Sequence, residues 1–189
     1  MKEDKYYIER VLQGNVSAFS SLVDKHKGLV YTIALRMLKN PEDAEELAQD
    51  TFVKAFSSLK NFKFESKFST WLYRITYNGA ISKLRKKQIE LADIDNGNIP
   101  ESEVLSSYDA ISELKRNEQK FYIKLAIEQL KDDDSLMITL YYLEESSIEE
   151  ISEITQLSIS NVKVKLYRAR KRFYDELKGI LKEEVNAIL

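Results

Sequence analysis

The chain has 189 residues, a net charge of −2, one histidine and no cysteine, which leaves room for one large domain or two small ones and excludes disulfides, thiolate metal sites and His-rich metal sites. The start, MKEDKYYIERV, is charged and lacks the apolar centre of a signal peptide, and no apolar run approaches membrane-spanning length. A cytoplasmic protein without membrane insertion is the expectation.

Five glycines and two prolines favour a helical fold with few tight turns. Residues 5–14 form a short amphipathic segment ending at Gly14. Ser17 is the expected N-cap of a long helix reaching about Lys39. Its apolar stripe is Phe19, Leu22, Val23, Val30, Ile33, Ala34 and Met37, and His26 falls near it as a helix histidine with no special role. Asn40-Pro41-Glu42-Asp43 is a strong helix start. Asn40 caps, Pro41 suits the first helical position, and the acids favour the positive helix end. That helix should run to about Leu59, with Ala44, Leu47, Ala48, Phe52, Ala55 and Leu59 toward the core. Glu42, Glu45, Glu46, Gln49 and Asp50 then form an exposed acidic surface.

Asn61–Lys87 changes sign. Phe62, Phe64, Phe68, Trp71, Tyr73 and Tyr77 lie among Lys63, Lys67, Arg74, Lys83, Arg85, Lys86 and Lys87, and Glu65 is the only acid. Cations attract a phosphate backbone and rings stack on unpaired bases, so this stretch reads as a surface for single-stranded or opening nucleic acid. Against that, Phe68, Trp71, Leu72 and Ile75 recur at helical spacing, which is also the spacing of core residues. Asn61–Lys67 should be a loop, and Ser69 or Thr70 should cap a helix to about Lys87. Asn78 and Gly79 interrupt it as poor helix formers; the glycine either allows a close backbone approach or marks a weak point.

Glu90–Glu113 holds seven acids and no base. With Asp95-Asn96-Gly97-Asn98 and Ile99-Pro100 as breakers, residues 88–113 read as a flexible acidic linker. It either mimics nucleic acid in a basic channel or serves as a solubilising tether. Helical patterning resumes over Leu114–Leu130 and Asp133–Leu143, the latter capped from the Asp132–Asp134 group. Ser146 or Ser147 then precedes Ile148, Ile151, Ile154 and Leu157, with Glu149, Glu150 and Glu153 outside. Ser160 is the expected cap of a helix to about Leu177. Val162, Leu166, Ala169 and Phe173 face inward, and Lys163, Lys165, Arg168, Arg170, Lys171 and Arg172 face outward. An acidic helix, a short turn and a basic helix without acids from Ser160 to Arg172 make a helix-turn-helix. The fold expected is all-α, with two helical domains, 1–87 and 114–189, joined by the linker.

Three stretches taken together, Pro41–Phe62, Phe68–Lys87 and Ser147–Phe173, resemble the extracytoplasmic-function branch of bacterial RNA polymerase sigma factors. The resemblance implies that Asp43, Glu45, Glu46, Gln49 and Asp50 dock on the coiled coil of the polymerase clamp. It implies that Phe64, Lys67, Phe68, Trp71, Asn78 and Lys83 read and melt the minus-ten element. Ser160, Asn161, Lys163, Val164, Lys165 and Arg168 would read the minus-35 element. Core RNA polymerase, promoter DNA as duplex and as melted strand, and an anti-sigma factor are the implied partners. No cofactor, metal or catalytic residue is implied. Gln156 stands where the family often has glycine, so Gln must take that turn's backbone angles. Val164-Lys165 replaces a frequent Ser-Arg pair, and Lys131 replaces a proline. These departures bear on minus-35 base preference and leave the fold expectation intact. The alternative function is a free-standing helix-turn-helix regulator, which leaves the Trp-containing basic segment and the acidic helix without a role. A carboxylate-bridged metal enzyme using Glu42, Glu46 and Asp50 lacks the Glu-x-x-His pairs such bundles need.

Overall fold

The computed structural model describes residues 2–92 and 114–188, and no strand occurs among the described residues. The chain divides into two compact units. The first is built on α1 (Lys2–Leu12), α2 (Phe19–Leu38), α3 (Pro41–Ser58) and α4 (Phe68–Ala92). The second is built on α5 (Leu114–Glu128), α6 (Asp132–Ile138) and α8 (Ile159–Ile188), with α7 (Ile148–Thr155) leading into α8. The expectation of an acidic linker falls mostly on residues 93–113, outside the described residues.

In the first unit α2, α3 and α4 pack pairwise, and α1 lies on α2. Leu22, Val30, Ile33 and Ala34 of α2 are fully buried, as are Ala44 and Ala55 of α3 and Leu72 and Ala80 of α4. Small residues bring the axes close. Ala34, Ala44, Leu47 and Ala80 form one cluster, with Tyr31, Leu35, Met37 and Leu38 packed on it. A Cβ added at Gly79 would lie 2.6 Å from Leu47 Cδ1. Of the two readings of Gly79, the structure therefore supports close approach, here of a leucine side chain from α3.

Local signals hold at some helix ends and fail at others. Asn40 is extended, and its Oδ1 accepts the Asp43 N–H at 2.8 Å, with Pro41 at the first helical position. Ser17 is not the α2 cap. It sits in a 3-10 turn, Val16–Ala18, that leads straight into the helix, and its hydroxyl donates to Asn15 Oδ1. The Phe19 N–H is taken by the Val16 carbonyl, so no side-chain cap is required. Gly14, at φ +99°, makes the turn between α1 and that segment. Helix α4 begins at Phe68, and the Trp71 N–H bonds the Lys67 carbonyl. Ser69 and Thr70 are thus inside the first turn and do not cap. The helix also continues to Ala92, past the expected end at Lys87.

In the second unit α5 and α6 both pack on α8. Lys131, extended and without a side-chain cap bond, precedes α6, so Asp132, Asp133 and Asp134 occupy the first turn and act on the helix dipole. The end of α6 widens into a π turn, Thr139–Leu143, closed by the Glu144 N–H on the Thr139 carbonyl at 3.1 Å. Ser147 and Glu150 form a capping box at α7. The Glu150 N–H donates to Ser147 Oγ at 3.1 Å, and the Ser147 N–H donates to Glu150 Oε2 at 2.9 Å. The α8 cap is Ser158, whose Oγ accepts the Asn161 N–H at 3.3 Å. Ser160 lies within the helix, which runs on to Ile188, past the expected Leu177.

Candidate nucleic-acid interfaces and acidic docking face

The outer face of α3 carries Glu42, Glu45, Glu46, Gln49 and Asp50, all exposed, while Asp43 is half-buried. Their spacing places the carboxylates along one side of the first three turns, opposite Ala44 and Leu47 in the core. The face is not purely acidic, because Lys83 of α4 reaches into it. Its Nζ lies 2.7 Å from Glu46 Oε2 and 3.6 Å from Asp43 Oδ1. Burial on its own would lower the Lys83 ammonium, but Glu46 and Asp43 together outweigh it and hold the pKa above its ordinary value.

The aromatic segment divides into a base and a surface. Phe62 and Phe68 are buried, Phe68 at 3 % exposure, and their rings meet edge to face at 5.9 Å. Trp71 is half-buried on top of both, 5.2 Å from Phe62 and 5.8 Å from Phe68. Phe64 is 44 % exposed, meets Phe62 at a tilt with ring centroids 4.9 Å apart and carries Lys5 over its ring. Its φ of 58° lies in the left-handed region, a strained conformation for a bulky residue. Lys67 is exposed and Asn78 half-buried. Two of the six expected minus-ten residues therefore stand elsewhere. Phe68 is a core residue that supports Trp71, since its position repeats the α4 core spacing with Leu72 and Tyr73. Lys83 belongs, in this conformation, to the acidic face.

The start of α8 exposes Ser160, Asn161, Lys163, Val164 and Arg168, whereas Lys165 is half-buried and paired with Asp133 Oδ2 at 2.5 Å. Val162, Leu166 and Ala169 are buried beneath them. Two further cations of the basic face are held by neighbours. Arg172 pairs with Asp134, and Arg170 stacks over Tyr141 and Tyr142 at 5.0 and 5.4 Å. The turn into this helix passes through Gln156 at φ 58°, and the Ser152 hydroxyl donates to the Leu157 carbonyl at 2.6 Å. Gln thus takes the left-handed angles expected of it.

Comparison with known proteins places these elements. The family Sigma-70 region 2 matches residues 22–89, and Sigma-70, region 4 matches residues 120–173. The chain is 32 % identical to the ECF RNA polymerase sigma factor SigW of Bacillus subtilis, over 93 % of this chain and 97 % of that one. The chain is an extracytoplasmic-function sigma factor of the sigma-70 family. It is 31 % identical to an ECF RNA polymerase sigma-E factor of Haemophilus influenzae, over 94 % and 97 % of the two chains. Among solved structures, the sigma factor RpoE of Bartonella quintana, crystallised with the anti-sigma factor NepR, superposes with a TM-score of 0.69 at 26 % identity. That match covers 85 % of this sigma factor and 96 % of RpoE. The sigma factor is a DNA-recognition subunit that directs transcription initiation, and sigma factors are not themselves enzymes. Among the described residues no helix is long and apolar enough to cross a membrane, and no group of His, Asp and Glu is arranged to hold a metal ion.

Two residues of the sigma factor stand in surroundings that the sequence does not reveal. His26 is 5 % exposed between three helices. Its Nδ1 lies 3.4 Å from the Tyr73 hydroxyl of α4 and its Nε2 3.4 Å from Asp4 Oδ2 of α1, with the Phe68 ring 5.5 Å away. Burial pushes its pKa below the ordinary value, and Asp4 works against that shift. Lys25 completes the group with bonds to Asp4 at 2.7 Å and Glu3 at 3.0 Å, which raise its own pKa. Spacing puts His26 on the α2 stripe, but its partners lie 22 and 47 positions away. Tyr167 is 71 % exposed beside Arg168, at a position that no charge pattern marks.

Proposed function

We propose that the α3 face formed by Asp43, Glu45, Glu46, Gln49 and Asp50 docks on the coiled coil of the core polymerase clamp. The exposed Phe64–Trp71 surface, with Lys67 and Asn78, then engages and opens the minus-ten element. Rings there stack on a freed strand and cations neutralise its phosphates. The first turns of α8, through Ser160, Asn161, Lys163, Val164 and Arg168, enter the duplex at the minus-35 element. Domain boundaries near residues 87 and 114 divide these tasks. The work is done in the cytoplasm, and the protein performs no chemistry of its own.

The observation that carries this reading is the separation of charge into faces. The first turns of α3 expose acids, and α8 from Ser160 to Arg172 exposes cations with no acid among them. A surface of one sign suits a partner of the other. Because RpoE of Bartonella quintana is found with an anti-sigma factor, an anti-sigma factor is proposed as a partner of this chain as well.

Promoter-directed run-off transcription with core polymerase, on a library of upstream sequences, tests the assignment. Specific starts are expected with the wild type and a loss of at least about tenfold with Glu45→Lys/Glu46→Lys, the size of an effect of about 1.4 kcal/mol. Starts that survive the reversal would remove the docking site from α3. Absence of specific starts, with tight duplex binding by the protein alone, would favour the free-standing regulator.

A further inference from the structure

Lys83 was expected at the DNA face and is found among the docking carboxylates. Its Nζ lies 2.7 Å from Glu46 and 3.6 Å from Asp43. Its Nζ is surrounded by two carboxylates, so this triad carries a net charge of −1. A DNA phosphate approaching α4 at Lys83 meets that negative total at distances far below the screening length of about 10 Å. When cations of a docking partner neutralise Glu46 and Asp43, the same ammonium becomes an unopposed positive charge. The backbone needs no rearrangement, because α3 and α4 are already packed against each other at Leu47 and Gly79.

We propose that Lys83 is a latch between the two faces: Glu46 and Asp43 hold it in the free protein, and occupation of these carboxylates by a cationic protein surface hands it to a DNA phosphate. The inference rests on the reading of α3 as the polymerase-docking face. Coupling of this kind is reciprocal, so DNA at Lys83 also frees Glu46 and Asp43 for the partner. The raised pKa of Lys83 is consistent with the pairing that the distances show. An exposed pair of this sort has a modest strength, so the expected coupling is about two- to fivefold in affinity.

The test uses the full chain without polymerase and a short fluorescent single-stranded DNA of mixed sequence at low salt, read by anisotropy. Glu46→Gln is expected to tighten binding about two- to fivefold. Glu45→Gln removes the same charge from the neighbouring position, which forms no ion pair with Lys83 among the described residues, and is expected to tighten it less. In a Lys83→Gln background the advantage of Glu46→Gln over Glu45→Gln disappears. Equal effects of the two glutamate substitutions, or a Glu46→Gln gain that persists without Lys83, would overturn the latch. The docking reading fails separately. If Glu46→Gln leaves the affinity for core polymerase unchanged, release by polymerase is overturned even where the pairing cycle is non-additive.

Discussion

At the scale of single residues, the first unit depends on one missing side chain and one buried ring. Gly79 stands where a methyl group would lie 2.6 Å from Leu47 Cδ1. In an open helix Gly→Ala would gain about 1 kcal/mol. Here overpacking dominates, and Gly79→Ala is expected to lose about 1–3 kcal/mol by urea denaturation. On a Leu47→Ala background the same change should become neutral or stabilising, because the obstructing atoms are gone. His26 makes stability depend on pH with a definite sign. Its folded pKa is depressed by burial, with Asp4 opposing and Lys25 reinforcing the shift. The unfolded chain therefore binds a proton first. Stability is intact above the ordinary histidine value and falls as pH drops through it toward the lower folded value. The urea midpoint should fall between about pH 7.5 and about pH 5.5, a span that brackets the ordinary imidazole pKa. In His26→Gln that fall should be largely absent. Asp4, Lys25 and Tyr73 surround the ring, so an equal fall in the variant would assign the effect to other groups.

At the scale of helices, ends are legible in the sequence where the signal is a local hydrogen bond. Asn40-Pro41 and the Ser147/Glu150 box can be read from the chain because donor and acceptor lie three residues apart. Ser160 is a false cap because two serines flank the start of α8, and only the backbone shows that Ser158 precedes the first turn and caps it. Ser158→Ala is accordingly expected to lower the melting stability by about 0.5–2 kcal/mol. Ser160→Ala should leave stability within about 0.5 kcal/mol, as for other exposed positions, and act only on duplex binding. The ends expected at Lys87 and Leu177 fall short for another reason. A change of charge is not a change of structure, and Gln88–Ala92 holds mostly good helix formers. Beyond Leu177, Gly179 costs α8 about 1 kcal/mol relative to alanine and does not end it.

At the scale of the whole chain, composition alone points the wrong way, since a net charge of −2 conceals faces of both signs. Segregation along the sequence reveals the faces, because each lies on a single helix. It does not reveal which charges are already matched within the fold. Lys165 and Arg172 are paired with α6, and Lys83 with α3. Lys163 and Arg168 remain exposed. Duplex affinity should therefore fall with salt in a way that single substitutions resolve. Lys163→Gln or Arg168→Gln is expected to reduce the slope of log K against log salt by about 0.9 for each phosphate that the cation no longer neutralises. Lys165→Gln should change the slope less, because its ammonium is already partnered. A larger change from Lys165 than from Lys163 would reverse this assignment.

The close approach of α3 and α4 at Leu47 and Gly79 also sets a tolerance. The acidic turns and the Trp71 surface are carried by two rods in direct contact, with no lever arm or hinge between them. A partner that grips one rod therefore fixes the position of the other to within a side chain's length. Under the proposed docking of α3, the distance from the enzyme to the Trp71 ring is then set by helix packing.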